Sequence, residues 1–207
     1  MVKTLIVNCY LESIKIGELY EAISKFSQCE TIEYINVDFL EKVSASVDAV
    51  VLSGSEARIV NPHHREKFSA VVRLIMDLEV PLFSICFGHQ LLCWTFGAEA
   101  ATLKKPVRNI FESVRVIDVD EIFDGFREGD IIPLAEFHND YILKNSLGRA
   151  GFIILADSPS CEVEAVKHAR KPFYGVQFHP ERIKIGERVE PSGYKIIQNF
   201  FRNVVRS

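Results

Sequence analysis

The stretch Pro81 to Trp94, PLFSICFGHQLLCW, constrains the fold more than any other part of the chain. Val80 to Ile85 is an apolar run broken only by Ser84, the pattern of a short strand buried on both faces, and Leu91, Leu92 and Phe96 then recur at helical spacing. A strand that becomes a helix at Cys86 holds that cysteine on a tight, strained turn, and the small residues Ser84 and Gly88 on either side let strand and helix approach. The thiol would project from the carboxyl edge of a sheet beside a helix N-terminus, whose partial positive charge favours thiolate over thiol. The N–H of Phe87 would then be free to stabilise an oxyanion. Taken alone, the stretch equally describes a buried cysteine in a strand-to-helix turn.

A second constraint lies far downstream, at Tyr174 to Glu181, YGVQFHPE. Phe173 to Phe178 reads as a buried strand that His179, Pro180 and Glu181 follow at once. The proline disfavours helix for His179 and gives it an extended or turn geometry. Glu181, two residues on, can reach the far ring nitrogen. Cysteine, histidine and orienting carboxylate are the three parts of an activated thiol nucleophile, which a fold can gather from distant positions. Both segments fall at strand ends, where open α/β sheets bind their ligands.

The rest of the chain supplies the sheet. Lys3 to Cys9 predicts a strand and Ile14 to Phe26 a helix. Glu30 to Val37 predicts a second strand, followed by a short segment, Phe39 to Val43, and a third strand, Asp48 to Leu52. A helix is expected from Pro62 to Leu78, with proline in its first turn and Phe68, Val71, Val72, Ile75 and Met76 on one face. Strands alternating with helices argue for right-handed parallel units in a doubly wound α/β sheet with flanking helices. After Gly97 the helical pattern stops. Phe111 to Val119 and Ile131 to Phe137 read as strands of a small antiparallel extension, and Phe152 to Ala156 and Glu162 to Val166 lead back to the strand before His179. Arg182 to Gly193 reads as a loop and Tyr194 to Phe201 as an amphipathic helix packed on the sheet. One domain, residues 1–207, is expected.

The two motifs together resemble the class I, triad-type glutamine amidotransferases. The family's cysteine signature, Gly-x-Cys-x-Gly-x-Gln, is matched by Ser84 to Gln90 with serine in place of the first glycine. Its histidine signature is intact from Gln177 to Glu181. The resemblance implies hydrolysis of the side-chain amide of L-glutamine through a γ-glutamyl thioester on Cys86, with His179 as base and Glu181 orienting it. It implies an oxyanion hole from the N–H groups of Phe87, Gly54 and Ser55, and a glutamine pocket lined by Gln90. Ser53-Gly54-Ser55-Glu56 stands where the family has Ser-Gly-Gly-Pro. Ser55 still supplies an N–H, but losing the proline removes a preset turn geometry.

Glu136 to Tyr141, EFHNDY, is close to the His-x-Asp segment of the glutaminase domains of GMP synthetases. By that likeness His138 and Asn139 border the pocket and Asp140 faces a partner. Only His179 both carries a carboxylate two residues on and follows the expected strand, so His179 is the expected base. His63, His64, His89 and His168 are expected at the surface or behind the site.

Composition excludes several classes. The net charge of -4 and the lack of a basic cluster argue against nucleic acid. No apolar run approaches the roughly 18 residues that span a bilayer. Five cysteines without metal-ligand spacing indicate a reducing cytoplasm rather than a disulfide framework. No cofactor and no metal are expected. The chain leaves no room for a synthetase of its own, so the resemblance implies a separate synthetase as ammonia acceptor, of the GMP synthetase kind. A γ-glutamyl peptidase and a weakly active or inactive regulatory subunit are the competing readings. The second is motivated by Ser84 and the 53–56 loop.

Overall fold

The computed structural model describes residues 2–12, 16–37 and 47–206. A nine-stranded sheet runs through it in the order β2-β1-β3-β4-β9-β8-β7-β5-β6. These strands are β1 (Lys3–Asn8), β2 (Gln28–Glu33), β3 (Ala49–Leu52), β4 (Leu82–Ile85), β5 (Ala100–Val116), β6 (Ile131–Ile142), β7 (Phe152–Asp157), β8 (Ala165–His168) and β9 (Phe173–Val176). The pairs from β2 through β9 are parallel, and those from β9 out to β6 are antiparallel.

The apolar runs of β1, β3 and β4 are continuous because both faces of the sheet are covered. Leu5, Val7, Val50, Leu52 and Leu82 point to one side, into a core with α3 (Ser69–Asp77) and α4 (Phe87–Thr95). Ile6, Ala49, Val51, Phe83 and Ile85 point to the other, against α1 (Gly17–Ser24) and α5 (Ser192–Asn199). The doubly wound architecture read from the sequence is thus what the alternation produces. No helix among the described residues is long and apolar enough to cross a membrane.

Several expected boundaries move. The helix expected from Pro62 to Leu78 divides into α2 (Pro62–Lys67), capped by the Asn61 side chain, and α3. It breaks at Phe68, whose ring is fully buried against Tyr34 and Phe87. The pull of that ring into the core outweighs helix continuity. The antiparallel strands are much longer than their apolar alternation suggests: β5 extends back to Ala100, through Lys104, Lys105 and Pro106, because register shifts between Thr102 and Val107 absorb the proline. β8 starts three residues later than expected, at Ala165. The 182–193 loop contains a two-residue hairpin, β10 (Lys184–Ile185) with β11 (Arg188–Val189). The expected segment 39–43 lies outside the described residues.

Candidate active site

Cys86 sits between β4 and α4 with φ 51° and ψ -107°, a left-handed backbone that costs a non-glycine residue energy and persists only where its surroundings enforce it. Its N–H is fixed by the Val176 carbonyl at 2.7 Å, its own carbonyl accepts from the Gln90 N–H, and Gly88 is pressed against β3. A Cβ on Gly88 would stand 2.8 Å from the Cβ of Leu52 and 2.9 Å from the Ser53 carbonyl. This close approach is what the glycine at that position permits.

β9 neighbours β4 in the sheet, with Ile85 level with Val176, so the segment leaving β9 emerges beside Cys86. It then bridges to β6 through His179 N–H and the Ala135 carbonyl, at 2.8 Å. The His179 Nδ1 is 2.7 Å from the Glu181 carboxylate, and both residues are buried. A Cβ on Gly54 would lie 3.0 Å from His179 Cε1 and 3.6 Å from the Cβ of Cys86, so imidazole and thiol converge on one glycine. Burial alone would lower His179, but the charges and hydrogen bonds of Glu181 and Cys86 more than reverse this and raise it from 6.5 to about 10. The imidazole therefore holds its proton at neutral pH.

The remaining thiols are in other settings. Burial pushes Cys9 up to about 12 and raises Cys93, Cys161 and Cys29 as well, so all four are held as neutral thiols.

A pocket of about 290 Å³ opens over Cys86, lined by Ser55, Phe87, Gln90, His138, Asn139 and Asp140 among others. As the first residue of α4, Phe87 keeps its N–H out of the helix ladder. The Cys86 thiol points toward the Phe137 carbonyl at 3.6 Å and receives the Gln177 side-chain amide at the same distance. Gln90 donates to the Asp140 carbonyl at 2.7 Å and to Gln177 at 3.0 Å, locking the pocket floor. Asn139 accepts from Arg108, whose guanidinium also covers the exposed Phe137 ring at the rim.

Asp140 is buried and its carboxylate is taken up by Arg58, through Nε at 2.8 Å and Nη2, and by Thr102 at 3.0 Å. This ion pair was not foreseen, and it bears on the 53–56 loop. Without the family's proline the loop is anchored by side chains instead. The Glu56 carboxylate accepts the N–H groups of Leu11 and Glu12, Ser55 Oγ accepts the Ala57 N–H at 3.0 Å, and Arg58 ties the next residues to β6. Ser53 Oγ adds a clasp between the Cys9 N–H and the Gly54 carbonyl.

His138 turns Nδ1 to the Asp140 carbonyl and Nε2 toward Glu136. His89 is fully buried under Gly175, and burial lowers it to about 3. Tyr10, Gln177, Arg58 and Arg108 are site neighbours that the sequence reading did not single out. Only Gln177, inside the histidine motif, carried a signal; the others reach the pocket from separate strands and loops.

A thiol at the carboxyl edge of a sheet, facing an imidazole held by a carboxylate, is the arrangement of a thiol-dependent acyl-transfer enzyme. The family model glutamine amidotransferase class-I matches residues 10–204. A GMP synthase (glutamine-hydrolyzing) subunit of Methanothermobacter thermautotrophicus is 34% identical over 167 residues, covering 81% of this chain and 80% of that protein. A solved structure of a Thermoplasma acidophilum protein assigned as a GMP synthase subunit superposes with TM-score 0.80 at 27% identity, over 97% of this chain and 92% of that one. A Thermotoga maritima glutamine amidotransferase, 19% identical, shares the fold with TM-score 0.82 over 100% and 99% of the two chains. The chain belongs to the class I glutamine amidotransferases, and it is an enzyme of that family.

Proposed function

We propose that this protein, as one glutaminase domain, hydrolyses the side-chain amide of L-glutamine and delivers the ammonia to a separate synthetase subunit of the GMP synthase type. The observation that carries the reading is Cys86, held at positive φ at the lip of β4, converging with the His179–Glu181 pair on Gly54 beside a pocket large enough for an amino acid. The relatives that are glutamine-hydrolyzing subunits of GMP synthase support the choice of acceptor.

In the first half-reaction Cys86 Sγ, as thiolate, adds to the amide carbon. The N–H groups of Phe87 and of Gly54 and Ser55 receive the oxyanion, and His179 gives its proton to the departing nitrogen as the C–N bond breaks. The neutral imidazole then takes a proton from water, which adds to the thioester and releases glutamate and the thiolate. Glu181 holds the ring orientation through both steps. The anchored 53–58 segment favours an active enzyme over a regulatory subunit, since the loop that carries two of the donors is tied at Glu56 and Arg58.

Steady-state ammonia release from glutamine, with and without a GMP-synthase-type synthetase subunit, tests the reading. Release that depends on Cys86 and rises with the synthetase is expected. Cleavage of γ-glutamyl peptides in preference to glutamine would replace it with a peptidase, and absence of any turnover with both proteins present would sink it. Cytoplasmic residence is part of the same proposal, since a persistent free thiol needs a reducing compartment.

A further inference from the structure

Beside the pocket, which His138 also lines, lies a second cluster whose two carboxylates the glutaminase chemistry does not use. Glu136 and His138 share one face of β6, two residues apart, and Glu164 stands just before β8. One ligating atom from each lies within 4.8 Å of the other two, and all three side chains are buried. The His138 Nδ1 is 3.0 Å from the Asp140 carbonyl, which can only accept, so Nδ1 carries the hydrogen and Nε2 presents a lone pair. That lone pair faces the Glu136 carboxylate at 3.5 Å. Among the described residues, His138 Nε2, both Glu136 oxygens and Glu164 Oε2 have no hydrogen-bond donor.

Two carboxylates and an imidazole lone pair turned toward one another out of water repel, and the arrangement calls for positive charge between them. A proton shared between the two carboxylates answers part of this. One proton between the carboxylates still leaves His138 Nε2 without a donor.

We propose that Glu136, His138 and Glu164 form a binding site for one divalent transition-metal cation, with Zn²⁺ the preferred occupant. Two carboxylates balance its charge, and imidazole in the donor set favours Zn²⁺, Mn²⁺ or Fe²⁺ over Mg²⁺ and Ca²⁺, which take oxygen ligands. The surroundings have the form that supports metal ligands. The histidine gives its other N–H to a backbone carbonyl, and Glu164 Oε1 accepts from Ser158 Oγ at 2.7 Å, which fixes both groups from behind. The site lies outside His/Cys spacing rules because a strand brings its ligands together two residues apart and the third comes from another strand's entry. Phe137 sits between two of the ligands, and its carbonyl faces the Cys86 thiol, so the cation fixes the segment of β6 against which the nucleophile rests.

The test uses the Cys86→Ala protein, which removes the thiol at the sheet edge as a competing ligand. It is stripped with a chelator and titrated with Zn²⁺ by calorimetry and thermal melting, with Mg²⁺ as control. The expected result is one equivalent bound, a melting temperature that rises until one equivalent is reached, and binding at least about tenfold weaker in Glu164→Gln and Glu136→Gln. Should those variants fail to fold, Co²⁺ absorption of the folded Cys86→Ala protein gives the answer, with ligand-field bands of a carboxylate–imidazole site expected. No stoichiometric binding, unchanged affinity in Glu164→Gln, loss of binding on replacing the surface pair His63 and His64, or Co²⁺ bands absent would each overturn the site. Because no turnover is read, the outcome is independent of the glutaminase reading.

Discussion

The two halves of the sheet contribute to the site in opposite ways. In the parallel half, β1, β3, β4 and β9 are short, apolar and covered on both faces, and the polar demand is concentrated at one edge: Cys86 and the His179 segment emerge from neighbouring strands with their geometry fixed by packing. In the antiparallel half, β5 and β6 run for 17 and 12 residues and carry Glu136, His138 and Asp140 inward, where Asp140 is paired with Arg58 and Thr102 while Glu136 and His138 face each other with no donor between them. The first half stores strain and presents the Cys86 thiol. The second supplies the pocket wall and its charge, and its stability rests on pairings that one substitution can unbalance.

The largest effects should fall on the parallel half. Cys86→Ala and His179→Asn should each lower glutamine-dependent ammonia release by at least about 10⁴-fold, because the two act as one unit. A double variant no worse than either single one is the signature; additive losses would separate the two residues' roles. Gly54→Ala should follow, at about 10²–10³-fold in kcat, since its methyl meets His179 at 3.0 Å and displaces the loop donors. Unchanged kcat would remove that loop from the oxyanion hole.

The antiparallel half should show its effect first in stability. Arg58→Met leaves the buried Asp140 carboxylate without its main partner and should cost about 1–3 kcal/mol in urea unfolding, less than for a fully buried pair because the guanidinium is 33% exposed. A lower kcat should accompany it, since Arg58 ties the segment that follows Gly54 and Ser55 to β6. Loss of stability with full activity would uncouple the clamp from the loop.

The pH dependence distinguishes the halves in another way. His179 is raised, so the stability it contributes is complete below pH 6.5 and drains away as the pH climbs through about 10. The melting temperature of His179→Asn should therefore fall less across that window than the parent's, and equal slopes would contradict the charge pairing with Glu181 and Cys86. The smallest effect belongs to Ser84. Its hydroxyl is fully buried and has no hydrogen-bond partner among the described residues, so Ser84→Ala should leave activity intact and stabilise by up to about 1 kcal/mol. A marked loss on either count would show that the serine does more than fill the family's glycine position.

This contrast also explains what could be read from the sequence. Continuous apolar runs and one-residue transitions, as at Ile85–Cys86–Phe87, encode the parallel half locally, and the two motifs at its strand ends point to the convergence of Cys86, His179 and Glu181. The antiparallel half depends on pairings between residues far apart. Arg58 meets Asp140 across 82 positions, and neither residue's neighbours signal the other. Pro106 hides a strand that a register shift accommodates, and Phe68 ends a helix whose apolar spacing continues past it. Glu136 and Glu164 read as ordinary charged strand residues until the fold buries them beside His138.

The most direct measurement is peptide mapping by mass spectrometry after treatment with an electrophilic glutamine analogue, with Cys86→Ala and His179→Asn run alongside. One adduct per chain on Cys86, slowed in the histidine variant and blocked by glutamine, is the predicted result. Modification at Cys9, Cys93, Cys161 or Cys29 in its place, or labelling of Cys86 at the same rate without His179, would contradict an active thiol built at the junction of β4 and α4.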